Sequence, residues 1–455
     1  MTEMYSRWSP LGDGTSYAGH ALRKWQITAL ESWEKSDNVG VVEAVTGTGK
    51  SLVGVAAIHE VLALGGVALV MVPSRALVAQ WTGNLRRELP FAKVGTISDG
   101  ETSDFRRSNV IVATVQSLFR TPLRGTSLTL LVADEVHRYG SPQYSKALRL
   151  SYPWRLGLTG TYERTGDEGI DRFLNPYFGA SVYEYSYGQA LADGVVAPFD
   201  LAFVGVEFSD SERTEFQKAD ELVQDATYKL RKNYLYPGEW SDFFSKVTAT
   251  LKEGVFDQEG RLCQQYMKGF SDRKRILATA EGKLKVTETL SPYLRERSGT
   301  LIFTESKDSA TRHAWVAAKT TSSWPLDGDS PAEMRAEKLR DFGQGKLKIV
   351  AAPRILDEGI DVPEAEVAVV VSASQSRRQM IQRMGRVIRK KDDGRGARMV
   401  MMYVHGTSED PRLGAHESFL DEVKPHARSV SYFSSAEIER LGNWLSEQRQ
   451  PPVEP

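Results

Sequence analysis

A glycine-rich loop between an apolar run and a predicted helix has the composition needed to bind the phosphates of a nucleotide. Residues 43–51 read Glu-Ala-Val-Thr-Gly-Thr-Gly-Lys-Ser, after the predicted strand 39–42 and before the predicted helix 52–58. Glycines let consecutive backbone N–H groups turn toward anionic oxygens, and the helix N-terminus adds the positive end of its dipole. Lys50 would then contact the β- and γ-phosphates, and Ser51 would bind Mg²⁺. A glycine turn can also serve packing alone, but the strand–loop–helix context favours a nucleotide site.

Two adjacent acids at the end of another apolar run could supply the chemistry of hydrolysis. Asp134 and Glu135 follow the predicted strand 128–132. In an open α/β sheet ligands bind at the carboxyl ends of the strands, so both acids are expected on the same edge as the glycine-rich loop. Asp134 can hold the Mg²⁺ that bridges the phosphates, and Glu135 can orient and deprotonate the attacking water. An Asp-Glu pair by itself is often a solvated turn, but beside a phosphate-binding loop it indicates a nucleotide hydrolase.

The bulk composition restricts the classes of protein that this chain can be. Its 455 residues exceed what one hydrophobic core usually supports, so two or three domains are expected. The net charge is −1, so any contact with nucleic acid must come from locally placed donors. The single cysteine, Cys263, excludes an intrachain disulfide framework and a multi-cysteine zinc site. The N-terminus is polar and no apolar run approaches about 18 residues, so we expect a cytoplasmic protein without membrane contact.

Short apolar runs recur along the chain with helical patterns between them. Continuous rather than alternating runs are typical of strands buried on both faces, which predicts parallel sheets covered by helices. The pattern stops between residues 210 and 275, where the chain is charged and favourable to helices. The sequence therefore predicts two α/β domains of similar size and a helical insertion. The apolar runs lie at residues 39–42, 67–72, 110–113, 128–132, 155–158, 300–303, 347–350, 367–371 and 399–404.

Over most of residues 20–405 the chain resembles a superfamily 2 helicase. Residues 134–137, Asp-Glu-Val-His, look like the DExH box of that family, and residues 44–51 look like its motif I, where alanine at the first position is usual. Arg23 and Gln26 resemble the upstream motif that reads the adenine edge. The resemblance implies ATP and Mg²⁺ as cofactors, with the metal held by Ser51 and Asp134. The residues that it implies for ATP binding are Arg23, Gln26, Thr46, Gly47, Thr48, Gly49, Lys50, Ser51, Gly359 and Asp361.

The second half of the chain carries the remaining motifs of this resemblance. Residues 301–305 are similar to motif IV, residues 356–363 to motif V and residues 379–389 to motif VI. One departure concerns residues 351–352, which are Ala-Ala where this group usually has a threonine in motif V. Without the hydroxyl, one expected phosphate contact is in doubt, whereas the hydrolytic chemistry is not affected.

Arginines recur one helical turn apart in the segment that resembles motif VI. Arg383, Arg386 and Arg389 would share one face of a helix. Such a row is usually a solvated surface, but the family pattern assigns Arg386 and Arg389 as finger residues that reach the γ-phosphate bound to the other domain. Gln382 would sense the same phosphate. The implied catalytic residues are therefore Lys50, Asp134, Glu135, Gln382, Arg386 and Arg389.

Further matches imply contacts to a nucleic-acid backbone and a coupling element. Residues 73–77 are similar to motif Ia and residues 114–117 to motif Ib, while residues 158–161 look like motif III, which couples hydrolysis to strand movement. The residues implied in nucleic-acid binding are Pro73, Ser74, Arg75, Thr114, Gln116, Ser117 and Thr304. Those implied in coupling are His137, Thr159, Gly160 and Thr161.

Together these features predict an α/β protein with two tandem RecA-like parallel-sheet domains, an ATP cleft between them and a helical insertion. Residues 1–20 are assigned to an N-terminal arm and residues 21–205 to the first domain. The insertion covers residues 206–275, the second domain residues 276–425, and a C-terminal helix and tail residues 426–455.

Within the superfamily, residues 155–164 and 356–363 look most like the group of XPB, UvsW and type III restriction helicases. That group mostly acts on duplex or branched DNA. The resemblance implies a monomeric, sequence-tolerant DNA helicase or translocase that unwinds or remodels duplex, forked or single-stranded DNA in repair or recombination. An RNA helicase is one alternative, since the same motor can bind the backbone of either DNA or RNA. Another is the motor subunit of a DNA defence or restriction complex, with protein partners and a nuclease on another chain.

An aromatic-rich segment at residues 234–244 leaves two interpretations of the insertion open. Exposed aromatic side chains can stack on bases or open a fork. Aromatic residues more often form the core of a small helical subdomain. The core interpretation predicts that Trp240→Ala leaves DNA-stimulated ATP hydrolysis and unwinding intact.

Overall fold

The protein consists of two compact units, each built around its own sheet. The first unit covers residues up to Pro198 and includes Gly385, Val387 and Gly394, whereas the other described residues from Phe199 onward form the second. The structure is a computed structural model. It describes residues 20–98, 100–120, 122–149, 152–162, 169–254, 257–326, 329–353, 363–372, 385, 387, 394–415, 420–421 and 423–447.

Seven parallel strands form the sheet of the first unit. Every residue of the strands at 67–72 and 110–114 is buried, as the continuous apolar runs predict for strands covered on both faces. In chain order the strands are β1 (Val39–Ala44), β2 (Val67–Val72), β3 (Val94–Ile97), β4 (Val110–Thr114), β5 (Thr129–Asp134), β6 (Trp154–Thr159) and β7 (Ser181–Tyr185). Their order across the sheet is β3-β4-β2-β5-β6-β1-β7, so β6 separates the strand before the glycine-rich loop from the strand that ends in Asp134.

Helices cover both faces of this first sheet, and two of them begin at the edge where the predicted site lies. The helix after the glycine-rich loop starts beyond Gly49, whose φ of 91° is in the left-handed region. The helix after β2 is capped by Ser74, whose Oγ accepts a hydrogen bond from the Leu77 N–H at 3.4 Å. The helices of the first unit are α1 (Lys24–Lys35), α2 (Lys50–Ala63), α3 (Arg75–Glu88), α4 (Val115–Arg120), α5 (Asn175–Phe178) and α6 (Tyr187–Ala192).

The second unit repeats the plan with another sheet of seven parallel strands, which confirms the predicted pair of parallel-sheet domains. Its apolar core joins the sheet to the helices that flank it. The strands are β8 (Phe199–Val206), β9 (Thr300–Thr304), β10 (Ser323–Pro325), β11 (Ile349–Pro353), β12 (Val367–Val370), β13 (Ala397–Val404) and β14 (Ser429–Ser434), in the order β10-β11-β9-β12-β13-β8-β14. The helices are α7 (Asp210–Tyr234), α8 (Trp240–Lys252), α9 (Gln258–Thr279), α10 (Glu281–Arg295), α11 (Lys307–Ala318), α12 (Ala332–Gly343) and α13 (Ile438–Ser446).

Two strands of the second sheet differ from the sequence-based division of the chain. Phe199–Val206 pairs with β13 and β14, so the boundary predicted after residue 205 falls inside a strand of the second unit and moves to the segment before Phe199. Ser429–Ser434 adds an edge strand in the region predicted as a C-terminal helix and tail. An apolar run predicts a buried strand, but it carries no information about which sheet that strand joins.

The helical insertion forms a small core of its own. Helices α7, α8 and α9 enclose a cluster that includes Tyr236, Phe243 and Tyr266, each at most 5% exposed. Trp240 is 50% exposed and stacks on Phe244 with ring centroids 5.2 Å apart. The arrangement supports the interpretation of the aromatic segment mainly as core. Among the described helices, none combines the length and hydropathy that a membrane crossing requires.

A buried lysine links three elements of the second unit. The Lys283 ammonium on α10 is fully buried and donates to the Leu277 carbonyl at 2.9 Å and to Glu409 Oε2 at 2.5 Å. Ser372, two residues beyond β12, donates to Glu409 Oε1 at 3.0 Å. Burial lowers the pKa of Lys283, and the Glu409 carboxylate opposes that shift. The network therefore fixes the end of β12 at the point where the chain continues toward residues 373–384, which lie outside the described residues.

Two glycines inside helices should respond in opposite directions to alanine. Outside the backbone of its own helix, no atom of the described residues would lie within 4 Å of a Cβ at Gly83 of α3, whereas a Cβ at Gly269 of α9 would lie 2.7 Å from the Ala219 carbonyl oxygen of α7. Gly83→Ala should therefore raise the free energy of unfolding by about 0.5–1 kcal/mol. Gly269→Ala should lower it by about 1–3 kcal/mol through overpacking. Denaturant titration measures both, and equal shifts for the two variants would contradict the close packing of α7 against α9.

Candidate nucleotide-binding site

The glycine-rich loop connects β1 to α2 with two glycines in the left-handed region. Gly47 has a φ of 90° and Gly49 a φ of 91°, values that side chains with a Cβ rarely adopt. Thr48 is fully buried, and its hydroxyl donates to the Val45 carbonyl at 2.7 Å. The Lys50 ammonium donates to the Ala44 carbonyl at 2.8 Å. The loop thus presents its backbone and a cation at the carboxyl end of β1, where phosphates bind in this type of loop.

Arg23 and Gln26 donate side-chain hydrogen bonds to carbonyl groups of the same loop. The Arg23 guanidinium donates to the Thr48 carbonyl at 2.9 Å, and the Gln26 amide donates to the Gly49 carbonyl at 3.0 Å. The Gln26 side-chain oxygen accepts the Arg23 backbone N–H at 2.7 Å. The structure therefore brings these two predicted ATP-binding residues to the loop, beside the predicted phosphate ligands.

Asp134 lies at the carboxyl end of β5 with both carboxylate oxygens engaged. Its Oδ1 accepts the Glu135 backbone N–H at 3.0 Å, and its Oδ2 accepts the Trp81 indole N–H at 2.8 Å. Burial, together with the neighbouring Glu135 charge, raises the pKa of Asp134 to about 6, while Trp81 and Lys50 oppose the shift. Each carboxylate oxygen keeps a second acceptor direction, so the group can still bind a cation or its water.

Glu135 is held in an unusual backbone conformation beside a buried histidine. Its φ of 52° lies in the left-handed region, which is uncommon for glutamate. Its buried Oε2 has no hydrogen-bond partner within the described part of the chain and lies 3.5 Å from His137 Nδ1. Buried carboxylate oxygens with acceptor capacity to spare, together with the Ser51 hydroxyl, are the hard ligands that Mg²⁺ prefers. The donor set therefore fits the predicted metal.

The predicted coupling residues meet in a buried hydrogen-bonded group. The Thr159 hydroxyl lies 2.8 Å from His137 Nδ1 and donates to the Thr161 carbonyl at 2.8 Å. Because the hydroxyl has one proton, His137 Nδ1 must be the donor in the first bond. A Cβ on Gly160 would lie 3.7 Å from Lys50 Nζ, which places this turn against the lysine that is predicted to bind phosphate. The turn after β6 therefore touches both the acidic motif and the glycine-rich loop.

The predicted nucleic-acid contacts of the first unit lie on the same edge of the sheet. Pro73 and Ser74 follow β2 and lead into α3, and Gln116 and Ser117 open α4 after β4. The Gln116 amide donates to the Pro73 carbonyl at 3.5 Å, and the hydroxyls of Thr114 and Ser117 are 2.9 Å apart. Parallel strands place all their carboxyl ends at one edge, which is why these turns join the nucleotide loop there.

Several predicted residues belong elsewhere or cannot be placed. Thr304 is buried at the end of β9 in the second unit, where its hydroxyl donates to the Ser306 carbonyl at 3.1 Å. Gly385 is described, and a Cβ there would lie 2.3 Å from the Thr46 Cβ, so only glycine fits against the loop. Predicted residues outside the described parts of the chain are Gly359, Asp361, Gln382, Arg383, Arg386 and Arg389.

Two aromatic residues contact Asp134 that sequence patterns had not indicated. Trp81 donates its indole N–H to the carboxylate, and the Tyr139 hydroxyl lies 2.6 Å from the Asp134 carbonyl oxygen. Both side chains are at most 1% exposed. An aromatic residue in an apolar pattern predicts only burial, and the partner of its polar atom depends on the tertiary fold. The sequence offers one signal for Trp81, which lies six residues after Arg75 and just beyond the segment that resembles motif Ia.

Family comparisons match both halves of the chain. The family described as "Type III restriction enzyme, res subunit" matches residues 19–164. The family described as "Helicase conserved C-terminal domain" matches residues 283–391. The first match contains the glycine-rich loop and the acidic pair, and the second contains the predicted arginine fingers.

Similar proteins extend over most of the chain. It is 29% identical over 391 residues to the DNA 3'-5' translocase XPB2 of Sulfurisphaera tokodaii, covering 85% of this chain and 82% of that protein. It is 26% identical over 431 residues to the DNA 3'-5' helicase XPB of Kineococcus radiotolerans, covering 90% of this chain and 66% of that protein. The fold is also similar to the ATP-dependent type ISP restriction-modification enzyme LlaBIII bound to DNA, with a TM-score of 0.60 and 14% identity over 94% of this chain and 32% of that one.

Removal of the Lys50 ammonium or of the Glu135 carboxylate should stop nucleotide hydrolysis, each for a different reason. Lys50→Ala deletes a cation and should weaken ATP binding, whereas Glu135→Gln keeps the shape of the side chain but removes the base. Each variant should lose at least about 100-fold in turnover. Steady-state ATP hydrolysis and equilibrium binding of a fluorescent ATP analogue measure the two effects.

Glu184→Gln is a matched control for the glutamate, because Glu184 is exposed on β7 in the same unit. Its turnover should equal that of the unmodified protein. Normal hydrolysis by Lys50→Ala or Glu135→Gln would refute the assignment of the site.

Proposed function

Because this chain belongs to the superfamily 2 DNA helicases, in the group of XPB-type and restriction-enzyme motors, we propose that it couples ATP hydrolysis to remodelling of duplex or branched DNA in repair or recombination. One observation carries the proposal. The phosphate-binding loop, the acidic pair and the predicted backbone-binding turns emerge at one edge of the first sheet. The hydrogen bond between His137 and Thr159 joins the acidic motif to the turn after β6.

The chemistry assigned to the first unit is activation of a water molecule against the γ-phosphate. Lys50 would neutralise the phosphate oxygens, and Ser51 and Asp134 would hold Mg²⁺, whose charge offsets that of the phosphates when it is bound. Glu135 would take the proton of the attacking water, and its Oε2, which accepts no hydrogen bond from the described residues, supports this role. The left-handed backbone at Glu135 directs the side chain away from the regular continuation of β5.

The resemblance assigns the remaining catalytic residues to motif VI. Arg386 and Arg389 would stabilise the charge that develops on the transferred phosphate, and Gln382 would sense that phosphate. The close approach of Gly385 to Thr46 supports this assignment, because Gly385 directly precedes Arg386 in the sequence. Hydrolysis would then be coupled to the relative movement of two sets of DNA contacts.

Contacts to DNA would be made to the sugar–phosphate backbone. Backbone contacts orient the protein without reading the sequence, so binding should be sequence-tolerant and weaken as salt is raised. In the first unit the supporting groups are the start of α3, with Ser74 and Arg75, and the turn that contains Gln116 and Ser117. Thr304 of the second unit would make a similar contact there.

A second candidate is the motor subunit of a DNA defence complex. The match of residues 19–164 to a restriction-enzyme family favours it. In that case a nuclease on another chain would cut the DNA. The motor chemistry is the same in both candidates, so the two differ in partners and not in the ATP site.

The choice of nucleic acid can be tested by ATP hydrolysis with four ligands of equal nucleotide concentration. Forked and duplex DNA should stimulate hydrolysis more than single-stranded DNA, and RNA should stimulate it least. Stimulation should fall as salt rises, because backbone contacts release counterions. Lys50→Ala with forked DNA is the control for a contaminating ATPase.

Stimulation by RNA above that by every DNA would overturn the proposal in favour of an RNA helicase. Stimulation by duplex DNA without strand separation would support translocation over unwinding. Co-purification of a nuclease with the tagged protein would favour the motor-subunit candidate.

A further inference from the structure

Trp81 joins the carboxylate of Asp134 to the helix that begins with two predicted DNA contacts. The indole N–H donates to Asp134 Oδ2 at 2.8 Å, and the side chain is 1% exposed. Trp81 lies on α3, a continuous helix of 14 residues that starts at Arg75 directly after the capping residue Ser74. A hydrogen bond from a fixed N–H group to a carboxylate is directional, so the position of α3 determines the orientation of the Asp134 side chain.

The same indole also rests on the helix that follows the phosphate-binding loop. A Cβ at Gly54 would lie 2.8 Å from Trp81 Cη2 and 3.0 Å from Val132 Cγ1. Gly54 is one helical turn beyond Lys50 on α2, and Val132 is two residues before Asp134 on β5. The absence of a side chain at Gly54 lets the ring reach the acid. One buried ring thus contacts α2, α3 and β5.

A second buried side chain, Tyr139, also connects Asp134 to a neighbouring strand. The Tyr139 hydroxyl lies 2.6 Å from the Asp134 carbonyl oxygen and 3.1 Å from the Met71 carbonyl oxygen, so its proton is shared between the ends of β5 and β2. Met71 is two residues before Pro73, whose carbonyl accepts the Gln116 amide. The predicted DNA-contacting turns and the acidic motif are therefore connected by side-chain hydrogen bonds as well as by the sheet.

From this geometry we propose that Trp81 is a positioning residue. DNA bound at the start of α3 acts through Trp81 to set the orientation of the Asp134 carboxylate. That orientation in turn sets the affinity of the site for its divalent cation. The inference rests on the proposed function, since it names how the same site responds to DNA. A small displacement of α3 moves the indole N–H, and the carboxylate follows its donor. Protein interiors are close-packed, so such a displacement passes to neighbouring groups instead of being absorbed.

The test replaces Trp81 by phenylalanine, which keeps an aromatic ring and removes the N–H. Binding of Mn²⁺ to the full-length protein with ADP, followed by electron paramagnetic resonance, should weaken about tenfold, as loss of an outer hydrogen bond to a metal ligand typically does. The factor by which forked DNA stimulates ATP hydrolysis should fall to a similar degree, while the affinity for that DNA, measured without nucleotide and divalent cation, should not change.

Trp33→Phe is the matched control. Trp33 is also fully buried in the first unit, and its indole N–H donates to the Arg155 carbonyl at 2.9 Å, so the variant loses an equivalent bond remote from the acid. A general loss of packing would affect both variants alike, whereas the proposal predicts an effect of Trp81→Phe alone. If the smaller ring destabilises the protein, incorporation of benzothienylalanine at position 81 keeps the indole shape and replaces the N–H by sulfur.

The outcomes separate this inference from the proposed function. Unchanged Mn²⁺ affinity and unchanged DNA stimulation in the position-81 variants would overturn the role of Trp81 and leave the helicase assignment intact. An unmodified protein whose ATP hydrolysis ignores every DNA would refute the proposed function. In that case the Mn²⁺ affinity alone decides whether the indole orients Asp134.

Discussion

The half-buried carboxyl group of Asp134, at the end of β5, is the point at which several elements of the first unit meet. Burial raises the pKa of Asp134 to about 6, because a charge removed from water must be stabilised by its surroundings. The groups that do so come from three places in the sequence: the indole of Trp81, the backbone of Glu135 and the charge of Lys50. Each of these groups can act on the acid only if α2, α3 and the turn after β5 occupy their observed positions. The candidate nucleotide site and a network of structural constraints are therefore the same set of contacts.

The parallel topology explains why so many of the predicted functional turns meet. All the strands of a parallel sheet end at the same edge, so the connections that follow them begin there. The glycine-rich loop, the predicted backbone-binding turns and the acidic pair are thus neighbours without being close in sequence. The group of His137, Thr159 and Thr161 joins the acidic motif to the turn after β6 through buried hydrogen bonds.

The second unit uses buried polar contacts for a different purpose. Lys283 and Glu409 form an ion pair inside the core, and Ser372 is bonded to the same carboxylate. Loss of one partner would leave a charge unpaired in an apolar environment, so this network tolerates few alternative positions of the end of β12. The helical insertion has an aromatic core instead, and the Arg231 and Lys246 cations lie over its Phe243 and Tyr236 rings. The two parts of this unit therefore use charge in different ways.

Much of the fold followed from pattern alone, since continuous apolar runs predicted strands that both sheets contain. The placement of the glycine-rich loop and the acidic pair at one edge of the sheet was also predictable, because both follow apolar runs that become parallel strands. Assignment of Phe199–Val206 to the second sheet could not be predicted, as a buried strand has no local mark of its partners. The roles of all the site residues stay predictions, and Gly359, Asp361, Gln382, Arg386 and Arg389 also lie outside the described residues. What the sequence by itself determined is the set of reactive groups and the strands that carry them. Only the tertiary structure decided that Trp81 and Tyr139 serve Asp134, because a hydrogen bond between residues 53 or 5 positions apart depends on where the helices pack.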